Sequence, residues 1–363
     1  MRSISRRRPL SRILIVAVTT MMVVACGGST STNTAASGAG SVCSTPGSCE
    51  PPADILAKAK AEGSVVIYSA LGTALSGPLG QAFEAKYGIK LVATETTQAD
   101  SLVRVENEAD AGKRVADMVP LGDPAVYDLW LKTGVITTFT KAQVPNSAVL
   151  NKTELLESSA FLYGGAVYTL GYNTAKSPGG VAPTGYCELT DPKWKGLVGL
   201  TFQPGATTFA HFAMIEKACG PNYFPQLVAN GVKFYASTSN ATQSLAAGEI
   251  GALISTVPYI LAPFKAQGAP VNFALPPQGI TVSTRWGAIV KNAPHPNAAL
   301  VFANFLLSVD AQKLMYTGGF LGYSVLPQSV MPDSLHTTVP ITFAYLSNAK
   351  AVEPRITKEL GKA

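Results

Sequence analysis

Charge is scarce in this sequence. Only 14% of its 363 residues are Asp, Glu, Lys or Arg, and it has three histidines. The formal charge of +6 is an end effect, because Arg2, Arg6, Arg7, Arg8 and Arg12 crowd the N-terminus with no acidic residue among them. Without those five arginines, 23 basic residues face 22 acidic ones, a net charge of +1. A near-neutral body lacks the basic face that a nucleic-acid backbone requires, so no nucleic-acid partner is expected. A Gly-x-Ser-x-Gly elbow, a His-Glu-x-x-His helix and a cysteine–histidine pair of catalytic type are all missing. His211, His295 and His336 have no metal-ligand spacing, and none stands beside a nucleophile. An exported hydrolase is therefore the weakest reading, and no cofactor or resident metal is expected. No apolar run past the N-terminus is long enough for a bilayer; Ile250 to Phe264 comes nearest, broken by Pro258 and Pro263.

What the N-terminus does have is an export signal. Ile13 to Ala25 is apolar apart from Thr19 and Thr20, too short for the roughly 20 residues of a spanning helix. It ends in Val23-Val24-Ala25-Cys26, which resembles the lipobox of bacterial lipoproteins. That resemblance implies cleavage of residues 1–25, a lipid on Cys26 and a body held at the outer face of the cell membrane. The other readings are an ordinary signal peptide with a chance cysteine, or an uncleaved anchor. Gly27 to Pro52 is rich in Gly, Ser, Thr and Pro and reads as a flexible tether, spanning roughly 25–30 Å as a coil of about 25 residues.

Besides Cys26 there are four cysteines, which allow three pairings. The closeness of Cys43 to Cys49 favours that pair together with Cys187–Cys219, in keeping with an oxidising compartment. The alternative leaves Cys187 and Cys219 as buried free thiols.

From Ala53 on, helical and strand patterns alternate. Asp54–Glu62 reads as a helix stopped by Gly63, and Ser64–Tyr68 as a strand buried on both faces. Ser76 reads as the cap of a helix burying Leu79, Ala82, Phe83 and Tyr87. Strand, helix, strand and helix follow at Ile89–Thr94, Asp100–Ala111, Ala116–Leu121 and Pro124–Lys132. A second such run has strands at Ala166–Asn173, Gly199–Phe202, Gly231–Tyr235 and Ile250–Ile254, with helices opening at Gly205 and near Ala241. Two α/β halves of similar size make a cleft between them the natural ligand site.

Six segments in order carry a family resemblance: Gly63–Ala70, Phe83–Lys90, Ala116–Val119, Leu189–Gly196 (Leu-Thr-Asp-Pro-Lys-Trp-Lys-Gly), Ala247–Ala252, and Gly287–Ala299 followed by Phe305–Ser308. Over about residues 54–330 the chain resembles the extracytoplasmic solute-binding proteins of ABC importers, in the branch of ferric-ion, phosphonate, sugar-phosphate, thiamine and polyamine binders. The resemblance implies a periplasmic-binding-protein-like α/β fold of two lobes, 54–165 with 279–363 and 166–278. Crossing strands are placed near Val167–Tyr172 and Pro276–Ser283. It also implies a monomer that passes a small solute to an ABC permease of the cytoplasmic membrane.

The ferric-ion members use a histidine, a glutamate and two adjacent tyrosines. Here Ser69-Ala70-Leu71-Gly72-Thr73 has no histidine, only Asp123 lies near the glutamate position, and the tyrosine pair is reduced to Pro258-Tyr259. Hard ferric iron wants several anionic oxygens, so direct iron capture is disfavoured. Iron held with a helper anion, thiamine and polyamines stand as the alternatives to an anionic solute. The anion site implied by the resemblance falls on Gly205-Ala206-Thr207-Thr208, where a helix N-terminus offers free N–H donors. Its plain reading is that Thr207 or Thr208 caps the helix. Ser69 and Thr73 follow the first strand at its carboxyl end. Thr238 and Asn240 either cap a helix or face the cleft. Tyr259 is a ligand contact or core, and Arg285 either grips an anion or forms a structural ion pair.

Overall fold

The computed structural model describes residues 43, 45–69, 73–96, 98–122, 124–317, 322–327, 329–331, 341–343 and 349–362. The signal peptide, Cys26, Asp123 and His336 lie outside these residues, and so does the side chain of Thr73. Up to the first crossing strand the order is α1 (Ala53–Glu62), β1 (Ser64–Ser69), α2 (Thr73–Tyr87), β2 (Lys90–Glu95), α3 (Gln98–Asp110), β3 (Met118–Leu121), α4 (Pro124–Thr133), β4 (Leu155–Leu156) and β5 (Ala160–Asn173). Then come β6 (Val198–Thr201), α5 (Ala206–Cys219), α6 (Tyr223–Ala229), β7 (Lys233–Tyr235), α7 (Thr238–Ala246), β8 (Ala252–Thr256), α8 (Pro258–Ala266) and β9 (Val271–Ala274). The chain closes with β10 (Ile280–Ile289), α9 (Pro296–Leu306), α10 (Val309–Thr317), β11 (Ile341–Phe343) and α11 (Glu353–Glu359). No single helix among the described residues is long and apolar enough to cross a membrane.

Local chemistry accounts for several boundaries. Helix α1 stops at Gly63, whose φ of +77° suits a residue without Cβ, and whose N–H donates to Ala59 O at 3.0 Å. Just before it, Glu62 accepts from Ala298 N at 2.7 Å and Asn297 Nδ2 at 2.6 Å, filling donors at the start of α9. Helix α2 begins three residues ahead of the cap expected at Ser76. Ser76 lies inside the helix and donates to Glu95 Oε1 at 2.6 Å, so its hydroxyl fastens α2 to β2.

Two large apolar cores form. The first gathers Val65, Ile67, Phe83, Trp130, Phe161, Trp286 and Phe302, with the Phe83 ring edge-on to Phe302 at 5.0 Å. The second gathers Leu170, Trp194, Leu200, Phe209, Phe212, Phe224 and Ile254. Ile356 of helix α11 and Leu360 just after it are buried in the second core, and Arg355 pairs there with Glu216 of α5. The last helix thus joins the half that 166–278 builds, although the sequence grouped it with the other.

Both expected disulfides are formed, Cys43–Cys49 and Cys187–Cys219. Cys49 is buried and clamped to the first core. Its N–H donates to Asn146 Oδ1 at 2.9 Å, and its carbonyl accepts from Asn304 Nδ2 at 2.8 Å and Asn146 Nδ2 at 3.1 Å. The body therefore takes hold of the chain before Ala53. Asp117, also fully buried, accepts from Val66 N at 2.7 Å and His295 N at 2.8 Å and meets His295 Nδ1 at 2.9 Å. His295 is a structural residue.

The sheet order is β2-β1-β3-β10-β5-β8-β6-β7, with β11 beside β10 and both β4 and β9 beside β5. Strand β1 pairs in parallel with β2 and β3 on either side, and β6 in the same way with β7 and β8. The antiparallel pair β5–β10 links the two groups, which is the α/β arrangement with crossing strands expected from the sequence.

Candidate functional site

Register places the site. Leu121, at the end of β3, is level with Trp286, which is level with Leu162. From the other side, Thr256 at the end of β8 is level with Thr169. Between these levels, Tyr163 to Tyr168 of β5 and Thr281 to Arg285 of β10 have neither β3 nor β8 beside them. That gap is about six residues, or roughly 20 Å at ~3.3 Å per residue. The carboxyl ends of the two parallel groups thus face each other across the crossing ribbon. In open α/β sheets, ligands bind outside such strand ends.

The two faces of the ribbon differ. Thr281 pairs with Tyr168, Ser283 with Ala166 and Arg285 with Gly164. Opposed residues, and every second residue along a strand, share a face, so these six line one side. On the other side, Val167, Ile280 and Val282 form a small core against Leu275 and Tyr323. Gly165 is required there: a Cβ would stand 2.3 Å from Val282 Cγ1 and 2.7 Å from Ser283 O. The register slips between Arg285 and Trp286, leaving Tyr163 as the extra residue of a bulge.

Helix α5 is fastened to the open face by two hydroxyl bonds one turn apart. Thr207 Oγ1 donates to Ser283 Oγ at 3.0 Å, and His211 Nδ1 meets Thr281 Oγ1 at 2.9 Å. The helix starts after Gly205, which has no side chain to cap it, and Thr208 donates its hydroxyl to Gln203 O at 2.6 Å. Neither Thr207 nor Thr208 caps the helix, and no side chain among the described residues accepts from its first-turn N–H groups. From the other half, Thr284 Oγ1 donates to Gly122 O at 2.9 Å and pins the loop after β3.

Arg285 stands at one end of this face, beside the bulge. It is half-buried, and its Nε is fully buried without a hydrogen-bond partner. It joins none of the ion pairs among the described residues, so its structural ion-pair reading finds no partner there. Its charge reaches two phenols. Burial pushes Tyr163 up to about 12, with Arg285 pulling the other way. Tyr168 is raised by burial and by Tyr259, again opposed by Arg285. Tyr259, in the first turn of α8, therefore stands close to this group.

The remaining candidates are spread more widely. Ser69 is buried at the carboxyl end of β1. Thr73 opens α2. Thr238 begins α7, but the cap is Ser237, whose side chain accepts from Asn240 N at 3.2 Å; the Asn240 side chain is exposed beside the edge strand β7. The sequence singled out neither Tyr168 nor Ser283, although both lie inside its two crossing segments. A surface depression lined by Asp191, Gln226 and Asn230 opens near the starts of β6 and β7, the opposite edge from the site. No group of three or more His, Cys, Asp or Glu that could hold a metal occurs among the described residues.

A family model described as bacterial extracellular solute-binding protein matches residues 79–338. The chain belongs to that family. No curated protein matches it by sequence. Solved structures similar to this solute-binding protein include the substrate binding protein of the ABC transporter from Agrobacterium tumefaciens, 17% identical, covering 83% of this chain and 96% of that one at a TM-score of 0.63. The apo ferric ion-binding protein A of Pasteurella haemolytica is 18% identical over 83% and 98% of the two chains, with a TM-score of 0.65. The periplasmic binding protein AfuA of Actinobacillus pleuropneumoniae, with fructose-6-phosphate bound, is 18% identical over 83% and 98%, with a TM-score of 0.57. At such identities the likeness is one of fold, and the fold is that of periplasmic binding proteins. Membership in an extracellular family places the working protein outside the cytoplasm.

Proposed function

We propose that this solute-binding protein captures a small anionic solute on the crossing ribbon and hands it to an ABC permease, without catalysing a reaction. The observation that carries this reading is Arg285, a half-buried guanidinium with an unpartnered Nε, set beside the uncapped first turn of α5. A buried cation left unpaired is costly, and a carboxylate or phosphate would supply both the countercharge and the acceptors. The N–H groups of α5 would add dipolar attraction for the same anion. The neutral body adds little long-range steering, so selection rests on these contacts.

Cys26 would carry the lipid that retains the protein, as a monomer, near its permease. Replacing Cys26 by Ser should then release the protein from membranes into the medium.

The direct test is calorimetric titration of the body with phosphate esters, phosphonates and carboxylates, preceded by native mass spectrometry of the protein as purified. Arg285→Gln should weaken binding by roughly 10- to 100-fold, the worth of a charge-assisted hydrogen bond. Binding of a cationic or neutral solute alone, with the Arg285 variant unaffected, would overturn the reading.

A further inference from the structure

We infer that the C-terminal arm, from Gly322 onward, is a strap that confines bending of the crossing ribbon to the residues beside Arg285 and so governs how the two halves move. Whichever solute binds, the inference stands on the arm's own contacts. Helices α9 and α10 pack in the first core and α11 in the second. The chain therefore passes between the halves a third time, after β5 and β10.

On its way the arm occupies an outer edge of each ribbon strand. Tyr323 bridges Gly165 of β5: Gly165 N donates to Tyr323 O, and Tyr323 N to Gly165 O, each at 3.1 Å. The same residue is tied to the first half, where its hydroxyl donates to Glu154 Oε1 at 2.9 Å. Next to it, Ser324 Oγ donates to Gln312 Oε1 of α10 at 2.7 Å. Farther on, β11 pairs in parallel with Ile280–Val282 of β10. Helix α11 then grips the second half, with Ile356 buried and both Nη atoms of Arg355 donating to Glu216, Nη2 to Oε2 at 2.6 Å.

Strand β11 changes what can bend. On the edge of β10 away from β5, β3 stands from Trp286 onward and β11 up to Val282. Among the described residues, only Ser283, Thr284 and Arg285 have no strand on that edge. Backbone laddered on both edges opens less readily than backbone laddered on one. Helix α5 is bonded to Thr281 and Ser283 on one side and to Arg355 on the other, so α5, α11, β11 and the start of β10 form one block. Thr284, one residue on, is tied instead to Gly122 of the first half. The boundary between the halves on β10 thus falls between Ser283 and Thr284, and Arg285 stands beside the pivot of any hinge motion.

The test needs no ligand. Nitroxides at Leu129→Cys in α4 and Gln243→Cys in α7, exposed positions on the two halves, report their separation by pulsed electron paramagnetic resonance. Cys26→Ser in the same chain leaves no other free thiol, because the remaining four cysteines are bridged. With the arm in place the distance distribution should be narrow. Ending the chain at Met331 removes β11 and α11 and should broaden it. Arg355→Glu, which sets a carboxylate against Glu216, should broaden it with the chain at full length, and adding Glu216→Arg should restore the narrow distribution. An unchanged distribution in folded Arg355→Glu protein would overturn the inference, whether or not the shortened chain folds. Broadening that the reversed ion pair fails to correct would overturn it too. Neither result bears on whether an anion binds at Arg285.

Discussion

Removing the Cys187–Cys219 disulfide should cost stability without costing affinity. The bridge joins the last residue of α5 to the turn at Cys187–Thr190 and closes a loop with a sequence separation of 32. Loop-closure entropy for that length is about 12 cal/mol/K, or about 4 kcal/mol at 25 °C. The same relation for Cys43–Cys49, separated by 6 residues, gives about 2 kcal/mol. The double variant Cys187→Ser/Cys219→Ser should therefore lose about twice as much as Cys43→Ser/Cys49→Ser. Urea unfolding of both variants, analysed by midpoint at unchanged slope, measures the difference. The ligand end of α5 should be spared, because Thr207 and His211 hold that end to β10 independently. A loss below about 1 kcal/mol for the Cys187–Cys219 variant, or the reverse ranking of the two, would refute the entropic argument. Labelling of more than one thiol in denatured, unreduced protein would remove its premise.

Other expectations follow from single contacts. His211 is fully buried, and burial lowers its pKa from 6.5 to about 3. Between those values the unfolded chain holds the extra proton, so stability falls as pH falls, by up to about 1.4 kcal/mol per pH unit. His211→Gln should flatten that acid limb in denaturant titrations at pH 4 and pH 7, and an unchanged slope would count against it. Asn304→Leu removes the acceptor of Asn146 N and one donor to Cys49 O, both at 2.8 Å. It should cost about 1–3 kcal/mol and speed hydrogen exchange at the Asn146 amide. Gly165→Ala forces a methyl against Val282 and the Ser283 carbonyl. Overpacking there should cost about 1–3 kcal/mol and weaken ligand binding, since Ser283 lies on the open face; a stable variant with full affinity would show the ribbon to be softer than argued.

Much of the fold was legible because its signals are local. A strand such as Val65-Val66-Ile67-Tyr68 between a glycine stop and an amphipathic helix reads the same in any context, and β1, β2, β3 and β6 fall within a residue or two of expectation. Where the reading slipped, a tertiary partner decided. Ser76 has the chemistry of a cap, but Glu95 across the sheet takes its hydroxyl and the helix starts earlier. Strand β5 extends back to Ala160 because β10 and β4 supply ladder partners that no pattern in its own sequence announces. Residues 45–52 look like linker by composition, and it is the carboxamides of Asn146 and Asn304 that hold Cys49 to the body.

The site divides along the same line. Arg285 and Gly205–Thr208 stood out because a charge beside a crossing strand and small residues opening a helix are unusual locally. Tyr168 and Ser283 did not, since their meaning is a matter of register. One residue of slip would turn Tyr168 toward the Val167–Val282 core and bring Val167 onto the open face. The slip is blocked from both sides, by the close approach at Gly165 and by the bulge at Tyr163. The tight glycine that fixes the register is therefore also what fixes which side chains share a face with Arg285. Affinity at Arg285 and stability at Gly165 should then move together in any substitution that loosens the ribbon.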